Sequence, residues 1–172
     1  MSAVSKTTLG IQVGALALLT AIAPTTAMAA TATANLSATA TVINNCTIST
    51  ATLAFGNYDP VDVNAAAHLD ASGTVTIACT KGSTATIGLG LGANASGSTR
   101  RLTDGSGNYL TYEMYHEAAR TTVWGTTGAA LLSPAAAPSK AARNFTVYGR
   151  VASNQDATAG SYTDTIVATV NF

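Results

Sequence analysis

Between Thr31 and Val42 apolar and polar residues alternate without a break. Ala32, Ala34, Leu36, Ala38, Ala40 and Val42 fall in one phase, and Thr31, Thr33, Asn35, Ser37, Thr39 and Thr41 in the other. A period of two predicts a strand with one buried face. The run is longer than the usual five or six residues of a strand, and no turn residue interrupts it before Asn44-Asn45. This predicted strand therefore has no hairpin partner beside it in the chain.

Shorter strand patterns follow. Thr47 to Phe55 carries Ile48, Leu53 and Phe55, and Thr74 to Thr80 places Val75, Ile77 and Cys79 in phase. Thr84 to Leu91 presents Ile87, Leu89 and Leu91, and a Gly/Ser/Asn-rich loop is expected from Gly92 to Asn108. Tyr109 to His116 puts Leu110, Tyr112 and Met114 on one face, followed by a short Thr121–Trp124 run and an Ala/Pro/Ser-rich connection, Gly125 to Ala142. Asn144–Val151 and Ser161–Phe172 supply the last strands, the latter with Tyr162, Ile166, Ala168, Val170 and Phe172 in phase. Ala65–Ala67 and Ala135–Ala137 add a helical turn at most. Short strands, polar turns and no sustained helical period predict an all-β sandwich. The final strand is expected to leave a sheet edge that no later segment covers.

The 172 residues suit one domain. The N-terminus has the order of a secretory signal: Lys6, an uncharged apolar stretch from Leu9 to Ala23, then Ala27-Met28-Ala29 as small residues before a cut. Cleavage is expected after Ala29, so that residues 1–29 are the signal peptide. The apolar stretch falls short of the roughly 20 residues that span a bilayer, and Pro24 ends it; no membrane insertion is expected. Export gives meaning to the only two cysteines, Cys46 and Cys79. A pair in an oxidising compartment predicts a disulfide. A metal pair or a reactive thiol is the alternative, and neither a CxxC spacing nor a histidine cluster supports it.

Charged residues are 9% of the chain, against about 25% in ordinary soluble domains. Eight basic and eight acidic groups balance, so no basic stripe awaits phosphates and nucleic acid is not expected as a partner. Low charge also gives little electrostatic resistance to self-association.

Sites for chemistry are scarce. His116-Glu117-Ala118-Ala119-Arg120 departs from the HExxH zinc motif at its last position, where a guanidinium cannot ligate zinc. His68, the other histidine, is expected in a loop. No GxSxG elbow occurs, and Asp59 and Asp62 flank a turn at Pro60 rather than forming an acid–base pair. Trp124, Tyr112, Tyr115 and Tyr148 fit core or cross-strand packing better than a sugar-binding surface. Arg120 and Arg150 are expected to pair with Glu113 or Asp164. No catalytic residue, metal or cofactor is predicted, and the chain is not expected to be an enzyme.

Several stretches taken in order resemble the spore coat protein U domain family, which includes the pilins of archaic chaperone–usher pili. They are Cys46-Thr47-Ile48-Ser49, Leu53 to Pro60, Ala71 to Cys79, Leu110 to Tyr115 continuing through Ala118 to Gly125, Val147-Tyr148-Gly149-Arg150, and Ala159 to Thr165 with Val170-Asn171-Phe172. The resemblance covers essentially the whole chain from Leu36, and the family's cysteine pair maps onto Cys46 and Cys79. It implies an incomplete immunoglobulin-like β-sandwich over residues 46–172, completed by donor-strand addition. Residues 30–45 would be the donor segment, with Ala32, Ala34, Leu36, Ala38, Ala40 and Val42 entering a neighbour. Ile166, Ala168, Val170 and Phe172 would form the edge that a chaperone or that neighbour covers. The implied function is that of a pilus subunit supporting adhesion and biofilm formation. The implied partners are identical or related subunits, a periplasmic chaperone and an outer-membrane usher, and the implied location is a cell-surface pilus reached through the periplasm. The rival expectations are a secreted carbohydrate- or surface-binding adhesin module, and a coat structural protein of the same fold.

Overall fold

Val75, Ile77 and Cys79, spaced by polar residues, form the buried face of a long central strand, and the other strands assemble around it. The structure is a computed structural model that describes residues 28–172; most of the expected signal peptide, residues 1–27, lies outside the described residues. Its strands are β1 (Cys46–Ala51), β2 (Leu69–Cys79), β3 (Thr86–Leu89), β4 (Arg100–Thr103), β5 (Tyr109–Tyr115), β6 (Arg143–Val151) and β7 (Ala168–Asn171). One short helix, α1 (Val63–Ala66), and a 3-10 turn at Gly128–Ala130 are the other elements. All pairing is antiparallel: one sheet has the order β1-β2-β6-β5-β4 and the second pairs β3 with β7.

The chain divides into two units at Thr39/Ala40. In the first, residues 28–39 belong to no helix or strand and are exposed, Leu36 at 94%. The second, from Ala40 onward, holds every element just named.

The buried faces of β2 (Val75, Ile77, Cys79), β5 (Leu110, Tyr112, Met114) and β6 (Val147, Val151) meet Ile87 and Leu89 of β3 across the core. Full burial of each large apolar side chain contributes roughly 1.5–3 kcal/mol. Trp124 fills the centre and its indole N–H donates to Ile87 O at 2.9 Å, which settles its polar atom inside the core.

Several strand boundaries differ from the sequence pattern, and the causes are tertiary. The alternating residues 31–42 form no strand, because a ladder needs a partner and no described residue pairs with them. The predicted strand Thr47–Phe55 ends at Ala51, after which Leu53 and Phe55 turn inward across β6. A Cβ at Gly149 would lie 2.7 Å from Leu53 Cδ2 and 2.8 Å from Phe55 Cζ, so a side chain there would push both residues aside from their present crossing. β4 lies inside the predicted loop Gly92–Asn108. Its signal is hidden because Arg100, a charged residue, occupies a fully buried position. Ser161–Phe172 keeps its alternating burial, but only Ala168–Asn171 is paired as a strand.

Candidate functional site

Accounting for backbone hydrogen bonds locates an unfinished edge. Ile87 exchanges two bonds with Leu132 (2.8 and 3.0 Å), and Leu89 N–H donates to Gly125 O at 3.0 Å, so both residues bond away from β7. Gly90 N–H donates to Val167 O at 2.9 Å and Ala93 N–H to Thr165 O at 3.0 Å. Backbone groups alternate in direction along an extended chain. Ile166, Ala168 and Val170 therefore aim their N–H and C=O groups at the opposite side, where no described residue forms a ladder. Their side chains point into the sandwich and are only half-buried. Phe172, at 54% exposure, lies beyond the end of β7.

β1 supplies the other margin. Thr80 N–H donates to Asn45 O at 2.9 Å, which sets the alternation so that Thr47, Ser49 and Ala51 bond to β2. Cys46, Ile48 and Thr50 turn their backbone groups outward. β1 and β7 are neighbours in space, yet no ladder joins them. Elsewhere the sandwich is closed: Tyr115 bridges to Val123, Ile87 to Leu132 and Thr103 to Thr163. Among the described residues, the gap between β1 and β7 is where both margins stay open.

Below the gap the core is not filled. A cavity of about 300 Å3 lies between Thr50–Leu53 on one side and Asp164–Ala168 on the other, with Val75, Tyr112, Met114 and Val147 as its floor. A second, of about 730 Å3, continues between Thr52–Tyr58 and Ala157–Asp164. The two share Thr52, Leu53, Phe55, Leu102 and Asp164. Together they form a groove, apolar at its floor and edged by unpaired backbone. Such an edge is a template for strand addition.

Polar groups are few here and well held. Asp164 accepts hydrogen bonds from Tyr112 Oη (2.8 Å), Asn94 N (3.1 Å), Asn94 Nδ2 (3.0 Å) and its neighbour Thr165 N (2.9 Å). Burial, then the bond to Asp164, pushes the Tyr112 phenol well above the ordinary tyrosine range. Cys46 and Cys79 form a disulfide across a non-hydrogen-bonded β1–β2 pair, with their Cα atoms 4.1 Å apart. The crosslink fixes the start of the open margin.

The structure separates the remaining candidates from one another. Arg150 forms a two-pronged ion pair with Asp70 (2.7 and 2.8 Å), which Arg120 joins at 3.3 Å. Neither arginine pairs with Glu113 or Asp164 as expected: Glu113 is taken by Arg100, and Asp164 by Tyr112 and Asn94. The Arg150 hydrogen bond is also the first cause that holds the Asp70 carboxyl below its usual range. His116 sits against Trp124 with ring centroids 5.3 Å apart, and its Nε2 lies 2.9 Å from Ala130 O. Glu117 accepts Thr121 Oγ1, Thr121 N and Thr122 N, each at 2.7 Å, so this stretch is a tied loop rather than a metal-binding helix. Among the described residues no three His, Cys, Asp or Glu side chains are grouped to hold a metal. Asp59 caps its own turn by accepting from Val61 N and Asp62 N, both at 3.0 Å.

The sequence pattern did not mark the groove floor. Leu53, Phe55, Tyr112, Met114 and Val147 read as ordinary core. Asp164 carried a usable signal, as a charged residue in the apolar phase of the last strand pattern.

Comparison with known proteins gives three results. The Spore Coat Protein U domain model matches residues 32–169. Protein U of Myxococcus xanthus is 42% identical over 138 residues, covering 70% of this chain and 72% of its own length. The fold is similar to a chain in the crystallised CsuC-CsuE chaperone-tip adhesion subunit pre-assembly complex from the archaic chaperone-usher Csu pili of Acinetobacter baumannii. The TM-score is 0.58 at 19% identity, over 77% of this chain and 41% of that one. This chain thus spans less than half of that structural neighbour, and the likeness carries the immunoglobulin-like β-sandwich fold.

Proposed function

This chain belongs to the Spore Coat Protein U domain family, and from that premise we propose that it is a structural subunit of an archaic chaperone–usher pilus that polymerises by donor-strand exchange. One observation carries the proposal. The sandwich has a gap with unpaired backbone on both sides and an unfilled apolar floor, and the same chain carries an unpaired alternating segment.

In this mechanism residues 30–42 of one subunit, the leading part of the donor segment 30–45, enter the groove of the next. Backbone groups pair with those that Ile166, Ala168 and Val170 turn outward, while Ala32, Ala34, Leu36, Ala38, Ala40 and Val42 face the floor. Leu36 and Val42 are 94% and 82% exposed in the single chain; each gains about 1.5–3 kcal/mol on full burial, and the alanines gain less. The ladder therefore supplies a large share of the hold. Insertion completes a core, so release is slow. A periplasmic chaperone would cover the same margin until an outer-membrane usher exchanges it for the next subunit. The structural neighbour's own complex contains a chaperone and a tip adhesion subunit, which supports a chaperone as partner. The resulting fibre, exported to the cell surface, would serve adhesion and biofilm formation.

The test is removal of residues 30–42 from the secreted protein. The shortened protein should form no fibres by electron microscopy, and should bind a synthetic peptide of residues 30–45 added in trans. Normal fibres from the shortened protein would rule the donor role out.

A further inference from the structure

Asp164 stands where the two cavities of the groove meet, and it is the side chain that lines both of them with a charge. Hydrogen bonds hold it in place: Asn94 donates to its Oδ1 and Tyr112 to its Oδ2, and Gly92, at φ +93°, leaves the space it occupies, since a Cβ there would collide with the carboxylate. The remaining inward-facing residues of this margin, Ile166, Ala168 and Val170, are apolar. The groove thus has one fixed carboxylate with unfilled apolar volume on either side.

The donor segment has the matching order of sizes. Leu36 and Val42 are its large apolar residues, with the small Ala38 and Ala40 between them in the same phase. At about 3.3 Å per residue, the two large side chains lie roughly 20 Å apart along a strand. We propose that Asp164 sets the register of the incoming strand: Ala38 and Ala40 of a second copy pass the carboxylate, and Leu36 and Val42 occupy the cavities on its two sides. This rests on the strand-donation reading above.

The selection works by exclusion. A strand can slip by two residues and still keep its apolar face inward, so hydrophobicity alone leaves several registers close in energy. A slip that seats Leu36 or Val42 on Asp164 strips the remaining water from a carboxylate whose hydrogen bonds are made but whose charge no cation among the described residues offsets, which is costly. With Ala38 or Ala40 at that point, room remains beside the carboxylate and both large side chains sit over empty volume. A fixed polar group inside an apolar seam specifies register in the same way in coiled coils.

The experiment measures insertion of fluorescent peptides of residues 30–45 into the secreted protein. Peptides carrying a single Ala→Leu change at position 38 or 40 should insert at least about tenfold more slowly than the unchanged peptide, since they would bury a carboxylate charge that no cation offsets. The same change at position 34 should be tolerated. In Asp164→Ala protein the penalty at 38 and 40 should shrink to within about threefold. Equal insertion of all four peptides into the unaltered protein overturns the register assignment while leaving strand donation standing. So does an undiminished penalty in the Asp164→Ala protein. Failure of the unchanged peptide to insert overturns strand donation itself, and the register with it.

Discussion

Arg100→Met is the most informative perturbation of this core. Arg100 is fully buried on the edge strand β4. Its Nε donates to Gly90 O at 2.9 Å, its Nη2 to Leu89 O at 2.8 Å and to Trp124 O at 2.7 Å, and its Nη1 pairs with Glu113. One side chain thus ties the end of β3, the segment after β5 and the five-stranded sheet together. Methionine keeps much of the volume but leaves three carbonyls without that donor and one carboxylate without its cation. Each orphaned buried acceptor costs about 1–3 kcal/mol, and breaking a buried pair from one side costs about 3–5 kcal/mol. These overlap, so a loss of about 3–5 kcal/mol is expected for Arg100→Met. Glu113→Gln should cost about 1 kcal/mol, because its side chain is 26% exposed and glutamine keeps an acceptor. Equilibrium urea unfolding at one fixed protein concentration measures both, with the sole tryptophan, buried Trp124, as the fluorescent reporter. If Arg100→Met costs no more than Glu113→Gln, the carbonyl cluster is not what Arg100 holds, and the reasoning fails.

Two further outcomes follow from the site. Replacing Cys46 and Cys79 together with serine opens a loop with a sequence separation of 33, and should lower stability by about 3–4 kcal/mol in the same assay. Peptide 30–45 should also insert less well, because the start of β1 is a margin of the groove; unchanged insertion would show that this end is not used. Glu117 is half-buried, and hydrogen bonds from Thr121 Oγ1, then from the Thr122 and Thr121 amides, hold its pKa at about 2. A depressed carboxylate pKa stabilises above the ordinary value of 4.5 and loses that contribution as pH falls toward 2. Amide exchange at Thr121 and Thr122 should therefore stay slow through pH 4 and accelerate only near pH 2–3, and Glu117→Gln should abolish that acid dependence.

What could be read from the chain was what is encoded locally. The period-two patterns of β2 and β5 stated which side chains face the core, because strand geometry alternates faces whatever the partner. The cysteine pair, behind a segment ordered like an export signal, pointed to its own bond. The same pattern at residues 31–42 stated the chemistry of a strand but not its pairing, which depends on a partner that is not local. Arg100 fell inside a predicted loop, and Asp164 broke the apolar phase of the last strand pattern. Only the tertiary structure shows that each is held by carbonyls, a phenol and amides from distant segments, which make a buried charge tolerable.

The open margin belongs wholly to that second level. Whether Ile166, Ala168 and Val170 have backbone partners is decided by which segments lie on either side, and Leu132, Gly125 and Gly90 sit far from them in sequence. Sequence alone determined a sandwich, its disulfide and a spare alternating segment, because each follows from residue type and spacing. The fold decided where a strand is missing, since a hydrogen-bond ladder exists only between chains brought side by side.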